Sequence, residues 1–529
     1  MNDGRLGCAA AGNEEGSHSA DLPSGAQVLL LFSVFAVAAC GLVYELIAGA
    51  VSSYLLGDAV TQFSLVIGVF LCAMGLGSYF AKFVRRNLLR IFVEVEIWIG
   101  LLGGLSSMLL FAVFAFAPDV FGVVFYSLCG ALGMLVGFEI PILVRVLRGG
   151  GGFSEAISNV LALDYLGALA GSILFPFVAL PFLGLSRSSV VFGVINLAVA
   201  AAGMSLIRGA KRGMTVRLVT VAVVLVGSFF ASARTIGFLE DLLYQDDVVY
   251  ARDSSYQRIV ITRWRDDVRL YLNGHIQFSS VDEFRYHEAL VIPALEAAKP
   301  ARSVLILGGG DGLAVREVLK YDSVEAITLV DIDPVVTELA RTRPELTRLN
   351  EGALSSPKVT IVHQDAFTFL DRHQGFFDVI IADLPDPSTP ALCKLYSRAM
   401  YSLMAHRLSL GGVLVTQATS PFFAPKAFWC IAHTQAEAVG EGERAALAPL
   451  PYHVHVPSFG EWGFVLAARR EVMPELLQVT VRTRFLNTRT LNSMFVFPED
   501  LAEVDTSVNT LENPVLYEYY NAGWRRYNE

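Results

Sequence analysis

Residues 303–333 read SVLILGGGDGLAVREVLKYDSVEAITLVDID, and this stretch decides how the rest of the chain is interpreted. An apolar run typical of a β-strand ends in the glycine cluster Gly308–Gly312, and a helical segment follows. A second apolar run then ends in Asp331, twenty positions after Asp311. This order of elements is typical of the first βαβ unit of a nucleotide-binding sheet.

The residues of the loop restrict the ligand. Glycines allow a tight turn and a close approach of the backbone, and the carboxylate of Asp331 can accept hydrogen bonds from ribose hydroxyls. The loop has neither a G-x-G-x-x-G spacing nor Gly-Lys-Ser/Thr, so we do not expect it to bind a pyrophosphate or a triphosphate. Because Asp311 would repel phosphate and attract a cation, we expect an adenosine with positive charge, such as a sulfonium nucleoside. A purely structural turn is the alternative for the glycine cluster taken alone.

The composition is unusual for a soluble enzyme, since 54% of the 529 residues are hydrophobic and only 17% are charged. Residues 1–25 are polar and are predicted to be a disordered tail. No basic segment precedes the first apolar run, so we expect no cleaved signal peptide. The hydrophobic excess lies in residues 26–236, which are predicted to form a multi-pass domain of the cell membrane.

This domain contains seven apolar runs, each close to the roughly 20 residues that cross a bilayer. Buried helices of a soluble protein are a poor alternative, because so many apolar runs would leave no surface for water. The spacings Gly133/Gly137 and Gly167/Gly171 are typical of close helix contacts in lipid. The predicted spans are about 26–50, 62–84, 91–117, 119–144, 159–183, 187–207 and 215–236.

Basic residues are concentrated in alternate loops, after spans two and four and between spans six and seven. The positive-inside rule predicts that these loops are cytoplasmic. With seven crossings, the chain after residue 236 would then lie outside the cytoplasm, away from a nucleoside made in the cytosol. Either one run does not cross, with the seventh the first candidate, or the second half works on the outer side. The residues concerned are Lys82, Arg85, Arg86, Arg90, Arg145, Arg148, Arg208, Lys211, Arg212 and Arg217.

Five carboxyl groups lie within the apolar runs, where an ionisable side chain must face a cavity or a partner. For Glu45 and Asp164, binding of a cationic metabolite and hydrogen bonding between helices are equally good interpretations. Hydrogen bonding is the preferred interpretation for Glu94 and Glu96, and Glu139 is the fifth carboxyl group. The six cysteines show no C-x-x-C pair, so neither a metal site nor a disulfide framework is expected.

The second half is predicted to begin with a linker and a β-hairpin subdomain, 237–285, and to continue as an α/β domain, 286–470. In a mostly parallel sheet, ligands lie across the carboxyl ends of the strands. Acidic residues outnumber basic residues after residue 236, so a cationic substrate is expected and nucleic acid is not. Four acids fall at the predicted strand ends: Asp311, Asp331, Asp365 and Asp383.

Residues 245–470 resemble the polyamine aminopropyltransferases, the spermidine synthases. The helical half is similar to the membrane-integral subgroup of that family through Gly41-x-x-Tyr44-Glu45 and Asp164-x-x-Gly167. The family motifs are Tyr256-Gln257, Leu272-Asn-Gly274-x-x-Gln277, Asp282-Glu283-x-x-Tyr286-His287-Glu288, Gly308-Gly-Gly-Asp311-Gly312, Val330-Asp331-Ile-Asp333, Asp365-Ala366, Asp383-x-x-Asp386-Pro387 and Pro457-Ser458-Phe459-x-x-Trp462-Gly463-Phe464.

The resemblance implies a Rossmann-like domain of the class I methyltransferase type. It also implies transfer of the aminopropyl group of decarboxylated S-adenosylmethionine to putrescine or a related polyamine, without a metal or other cofactor, and a homo-oligomer. The donor residues implied are Gln257, Gln277, Gly308, Gly310, Asp311, Asp331, Asp365 and Ala366. Those implied for the amine are Tyr286, His287, Asp311, Asp383, Asp386 and Phe459.

Asp383, helped by Tyr286, is the candidate base for an in-line displacement; a helix or turn cap is its structural alternative. The family usually has Glu at Asp331, small hydroxyl residues at Leu384-Pro385 and an aromatic hydroxyl at Phe459. A methyltransferase stays open as another function, as does a transporter or sensor that binds polyamine or nucleoside without turnover. The C-terminal extension, 471–529, carries no predicted chemistry.

Overall fold

The computed structural model describes residues 23–56, 59–147, 153–244, 246–438 and 447–528. The predicted disordered tail therefore lies outside the described residues, apart from its last three positions. Apart from residues 53–60, the chain divides into a helical unit that ends at Ile236 and a second unit from Gly237 onward.

The helical unit consists of long apolar helices. Glycines allow two pairs of these helices to approach closely: a Cβ at Gly137 would overlap the carbonyl of Met74, and one at Gly167 would overlap the carbonyl of Phe35. The close contacts predicted from the small-residue spacings are therefore present. The helices are α1 (Ser24–Leu56), α2 (Ala59–Ala81), α3 (Leu88–Phe116), α4 (Phe121–Leu147), α5 (Phe153–Leu174), α6 (Leu180–Leu206) and α7 (Arg212–Tyr244).

Six helical stretches of the described residues are long and apolar enough to cross a membrane. One of them, Ser154–Leu206, covers most of the fifth and sixth predicted spans in 53 residues. Straight, it would be about 80 Å long, but Gly184 interrupts it with a φ of 72°. The number of crossings therefore stays a prediction.

Hydrogen bonds connect buried polar groups of the helical unit. Tyr44 Oη donates to Asn196 Oδ1 at 2.9 Å, and Asn196 Nδ2 donates to Glu96 Oε2 at 2.8 Å. Glu96 and Glu139 are buried, whereas Glu94 pairs with Arg217. Hydrogen bonding between helices, the preferred interpretation for Glu96, is thus what the structure shows.

The second unit opens with a four-stranded antiparallel sheet, in the order β1-β2-β3-β4. Its strands are β1 (Asp247–Asp253), β2 (Arg258–Trp264), β3 (Asp267–Leu272) and β4 (His275–Ser279). The hairpin expected around Arg265-Asp266 joins β2 to β3. Strand β1 lies in the stretch interpreted as a linker; because it is an edge strand with mostly exposed side chains, it has no clear apolar alternation.

A seven-stranded mixed sheet forms the core of the second unit, which is Rossmann-like. The strand order is β10-β11-β9-β8-β5-β6-β7, parallel from β9 to β7 and antiparallel at β10 and β11. The strands are β5 (Ser303–Gly308), β6 (Ala326–Asp331), β7 (Val359–His363), β8 (Phe377–Asp383), β9 (Leu408–Gln417), β10 (Ala448–Val456) and β11 (Gly460–Ala468).

Helices cover both faces of this sheet, so its central strands are apolar without alternation. Val304 and Ile306 of β5 belong to one buried cluster, and Leu305 and Leu307 belong to the other. The helices are α8 (Glu283–Ala297), α9 (Leu313–Val318), α10 (Pro334–Thr342), α11 (Pro344–Leu349), α12 (Ala366–Arg372), α13 (Pro390–Cys393), α14 (Arg398–Arg407), α15 (Pro425–Ala436), α16 (Thr488–Ser493) and α17 (Val515–Asn528).

The C-terminal extension packs onto this core. Glu288 of α8 is fully buried and accepts hydrogen bonds from the backbone N–H groups of residues 484–486, at 2.6 to 2.9 Å. Trp524 of α17 contacts both buried clusters. The extension is therefore part of the second unit rather than a separate tail.

Candidate active site

The candidate site lies at the carboxyl ends of β5, β6 and β8. Strand β5 pairs with β6 on one side and with β8 on the other, so the strand order reverses there. A crevice opens at such a reversal and is the usual ligand position in this type of sheet. Gly308 ends β5 directly opposite Asp383, the last residue of β8.

The glycine loop lies between two carboxyl groups. Gly308 and Gly309 have φ values of 79° and 65°, which glycine adopts without strain. A Cβ at Gly309 would be 2.9 Å from Asp383 Oδ2, and one at Gly310 would overlap the carboxyl group of Asp331. The glycines therefore allow the loop to approach both acids, as well as a ligand.

Asp331 is held by the backbone at the tip of β6. Its Oδ2 accepts from Gly310 N at 3.0 Å, and its Oδ1 accepts from Asp333 N at 2.8 Å. Burial raises the pKa of Asp331 to about 6. Because each carboxylate oxygen can accept more than one hydrogen bond, the group can also accept from a ribose diol.

Gln257 is positioned beside β6 by Asp333, which the sequence analysis quoted in a family motif without assigning it a role. Gln257 Nε2 donates to Asp333 Oδ2 at 3.0 Å, and Ser254 Oγ donates to the same oxygen at 2.6 Å. The other oxygen of Asp333 caps α10 by accepting from Val335 N at 3.0 Å. Asp333 thus connects the small sheet to the end of β6.

Asp365 follows β7 and caps α12. Its Oδ1 accepts from Thr368 N at 2.9 Å and from Thr368 Oγ1 at 2.8 Å, and Lys394 Nζ lies 3.6 Å away. Partial burial would raise the pKa of Asp365, but these partners lower it below its usual value. Ala366 is buried next to it.

Gln277 lies on β4 and donates to the His275 carbonyl. Within the described residues, no hydrogen bond joins Gln277 to the strand ends.

Tyr286 and Asp383 are in direct contact. The phenol of Tyr286 donates to Asp383 Oδ1 at 2.8 Å. Burial, and then the charge of Asp383, keep the pKa of Tyr286 well above 10, so the phenol remains a donor. Burial also raises the pKa of Asp383, partly offset by His287 and by this hydrogen bond. Phe459 packs edge-on against the Tyr286 ring, with 5.9 Å between ring centroids.

His287 is a buried cation. Its Nδ1 lies 3.0 Å from Glu283 Oε2, one helical turn earlier, and Arg316 donates to both oxygens of the same carboxylate at 2.9 Å. Burial alone would lower the pKa of His287, but the bond to Glu283 and its charge raise the pKa to about 9. Burial raises the pKa of Asp311 to about 6, and the nearby His287 charge limits that rise.

Asp386 is held by three neutral donors. Gln417 Nε2 donates to Oδ1 at 3.1 Å, while Thr419 Oγ1 and Tyr520 Oη donate to Oδ2 at 3.3 and 3.1 Å. Burial raises the pKa of Asp386 to about 6 against these three hydrogen bonds. The structure therefore places Asp311, Asp331, Asp383 and Asp386 where the strands end, and the charge of His287 acts on both Asp311 and Asp383.

Such a group of carboxyl groups suits a ligand with more than one positive charge. Among the described residues there is no group of three or more His, Cys, Asp or Glu side chains that could hold a metal ion.

The sequence analysis did not assign roles to Glu283, Arg316, Asp333, Gln417 or Tyr520. Glu283 could have been found from its spacing to His287, and Gln417 from its position at a strand end, but Tyr520 gives no local signal.

The chain is similar to known proteins over most of its length. Residues 283–473 match the spermine/spermidine synthase domain. Polyamine aminopropyltransferase 2 of Ralstonia nicotianae is 47% identical over 94% of this chain and 98% of its own length. The polyamine aminopropyltransferase of Leptospira interrogans is 44% identical over 94% of this chain and 99% of its own length.

Among solved structures, spermidine synthase from Thermotoga maritima aligns with a TM-score of 0.43 at 27% identity, over 48% of this chain and 87% of that chain. The two relatives align over nearly their full lengths, so the similarity includes the helical unit as well as the matched domain. The chain is a transferase and belongs to the polyamine aminopropyltransferase family.

Proposed function

We propose that the enzyme transfers the aminopropyl group of decarboxylated S-adenosylmethionine to putrescine or a related polyamine, which gives spermidine and methylthioadenosine. The observation that carries this proposal is the hydrogen bond between Tyr286 and Asp383 beside the glycine loop. This bond orients the proton acceptor, Asp383, at the end of β8, beside the loop where the aminopropyl donor would lie. The family membership supplies the reaction class.

In this proposal the donor lies along the ends of β5, β6 and β7. Asp331 holds the ribose, Asp365 accepts from the adenine amino group, and Asp311 pairs with the free ammonium of the donor. Gln257, Gln277, Gly308, Gly310 and Ala366 line the same position. Ordinary S-adenosylmethionine would bring its carboxylate against Asp311, so like-charge repulsion discriminates between the two donors.

The amine lies on the other side of the loop, between Asp383 and Asp386, with Tyr286 and Phe459 as walls. Burial raises the pKa of Asp386 to about 6, so the carboxylate is largely ionised at neutral pH and can bind the ammonium at the far end of the amine. Burial raises the pKa of Asp311 and of Asp383, and the positive charge of His287 offsets part of that rise. The pocket thus binds one protonated end of the amine and accepts a neutral nitrogen at the other.

The reaction is a displacement at the carbon next to the sulfonium. The lone pair of the neutral amine nitrogen forms the new C–N bond, the C–S bond breaks, and its electron pair stays on sulfur, which becomes a neutral thioether. The positive charge moves from sulfur to nitrogen. Asp383 accepts a proton from the amine, and Tyr286 fixes the orientation of its carboxylate. Alignment of the two substrates between fixed carboxylates supplies much of the rate.

The direct test detects the two products by mass spectrometry. Detergent-solubilised protein receives decarboxylated S-adenosylmethionine and putrescine, and we expect spermidine and methylthioadenosine in equal amounts. Asp383→Asn should abolish both products. Asp378→Asn is a matched control on the same strand: Asp378 accepts from Arg302 N and Ser303 N at 2.9 and 3.1 Å, at the opposite end of β8. Donor binding without any product from putrescine or a longer polyamine would refute the proposal.

We also propose that the helical unit spans the cell membrane, on the basis of its long apolar helices. Six crossings would put the transferase unit in the cytoplasm, on the same side of the membrane as the basic loops. Seven crossings would put it on the opposite side. Fusions of a fluorescent protein or an alkaline phosphatase after residue 528 distinguish the two, because the first is active inside and the second outside. Activity of the phosphatase fusion alone would refute a cytoplasmic position.

A second candidate function is movement of a polyamine through the helical unit. The buried carboxyl groups of Glu96 and Glu139 favour it, because these two acids from different helices lie within hydrogen-bond reach of each other inside the helical unit. Uptake of labelled putrescine into vesicles that contain the reconstituted protein tests this function. Glu96→Gln together with Glu139→Gln should abolish the uptake, and unchanged uptake would remove the candidate. The sequence hypothesis for Glu45 and Asp164 is tested in the same way.

A further inference from the structure

The last helix of the chain reaches the candidate amine site. Tyr520 of α17 is 8% exposed, and its hydroxyl lies 3.1 Å from Asp386 Oδ2, although 134 positions separate the two residues. This contact connects the extension to the acid that the proposed function assigns to the far end of the amine.

Aromatic packing fixes the helix that carries Tyr520. The rings of Trp524 and Tyr527 lie 4.9 and 4.8 Å from the ring of Phe423, between centroids. Gly523 contacts the backbone of Ala424 so closely that a Cβ would be 2.7 Å from its Cα. Since these contacts lie on the same helix as the tyrosine, they hold Tyr520 in one position relative to the segment before α15.

The same segment supplies the other donor to Asp386 Oδ2. Thr419 lies two residues after the end of β9, and Ser420 next to it accepts from Phe423 N at 3.1 Å. Thr419 has a φ of 56°, an uncommon value for a residue other than glycine. The donors Thr419 and Tyr520 thus belong to two packed elements that meet at one carboxylate oxygen.

Neutral donors alone compensate for the burial of Asp386. The described hydrogen bonds to its carboxylate come from an amide and two hydroxyls. Removal of one donor from a buried charged group costs more than removal of a neutral pair and favours the protonated acid. A protonated Asp386 would no longer attract an ammonium.

We propose that Tyr520 is a positioning residue that orients Asp386 toward the amine substrate, so that the last helix determines which amines the enzyme accepts. This inference rests on the proposed function. It differs from a purely structural role for α17 because it predicts an effect on the amine and none on the donor nucleoside.

The test is steady-state kinetics of Tyr520→Phe, which keeps the ring and its contact with Trp524. Loss of a hydrogen bond to a charged group should raise the KM for putrescine by about 10-fold or more, with kcat within roughly twofold and the donor KM unchanged. The matched control is Tyr527→Phe on the same helix, which keeps its contact with Phe423 and leaves Asp386 unaltered. A comparison of putrescine with a longer polyamine should show a changed ratio of kcat/KM only for Tyr520→Phe.

The pH profile separates positioning from general damage. Tyr286, Tyr396 and Tyr520 face Asp386, and burial holds the pKa of each well above 10, so they do not titrate in the acid limb. Asp383 is present in both proteins, so it does not account for a difference between them. The acid limb of kcat/KM for the amine should therefore move to higher pH in Tyr520→Phe and stay in place in Tyr527→Phe.

A double-mutant cycle with Asp386→Asn gives the decisive comparison. If Tyr520 acts through Asp386, Tyr520→Phe has no further effect on the KM for the amine in the Asp386→Asn background. An additive effect of the two substitutions on the KM for the amine would overturn the inference. It would also be overturned if Tyr520→Phe kept the wild-type KM and acid limb while Asp386→Asn lost amine affinity. Absence of product from the wild-type enzyme would instead overturn the proposed function, so the two failures are distinct.

Discussion

Replacement of Glu283 by Gln tests whether the buried charges of α8 set the ionisation of the active site. Glu283 is about 1% exposed and accepts from Arg316 through both oxygens, and from His287 through one. Glutamine has nearly the same shape, so the substitution removes the charge and leaves the volume. Two buried cations would then lack their common partner.

The magnitude follows from the two pKa values. Burial would raise the pKa of Glu283, but His287 and Arg316 lower it to about 2, and the pKa of His287 is about 9. Each differs from its usual value by roughly 2.5 pH units, which corresponds to about 3 kcal/mol. The two values describe one interaction from its two partners, so they are not added. Removal of one member of a buried ion pair costs about 3–5 kcal/mol, in agreement.

The sign of the pH dependence follows from the same values. The lowered pKa of Glu283 contributes stability above pH 4.5 that is lost as the pH falls toward 2. The raised pKa of His287 contributes stability below pH 6.5 that is lost as the pH rises through 9. The difference between wild type and variant should therefore be largest between pH 4.5 and 6.5 and should shrink from pH 6.5 to 9.

Hydrogen exchange of peptides from α8, measured by mass spectrometry on the full-length protein, reports this difference locally. The control is Glu288→Gln on the same helix, which loses part of its bonding to backbone N–H groups; no described hydrogen bond or ion pair joins Glu288 to His287. Its loss of protection should not depend on pH between 6.5 and 9. If the effect of Glu283→Gln is equally constant over that range, His287 is not the cation that we infer.

Two further predictions concern the crevice itself. In Tyr286→Phe, the 2.8 Å hydrogen bond to Asp383 is lost. Because a bond to a charged group is lost, kcat should fall by about 10- to 100-fold, with little change in the KM for the donor. A wild-type kcat would show that Tyr286 does not orient the base. In Gly310→Ala, the new Cβ would overlap the carboxyl group of Asp331. The affinity for the aminopropyl donor, measured by calorimetry, should therefore fall at least 10-fold. The control Gly411→Ala has open space around its new Cβ and should bind the donor as the wild type does.

The sequence alone was sufficient to predict which residues meet in the central part of the site, because the carboxyl ends of parallel strands lie at the same edge of the sheet. Apolar runs that end in Gly308, Asp331 and Asp383 must bring these residues together once the strands pair in register, and they do. The helical unit was equally clear, since long apolar runs have few alternatives. Strand β1 escaped recognition because an edge strand with exposed side chains has little periodicity.

Tertiary structure alone decided which charges exist in the site and what holds them. The family resemblance implied His287 for the amine, but only its burial beside Glu283 and Arg316 makes it a cation at neutral pH. Tyr520 meets Asp386 because α17 packs onto the segment before α15. Local patterns encode strand ends and turns, because those depend on neighbours in the chain. The ionisation of a buried group depends on neighbours in space, which the order of residues does not display.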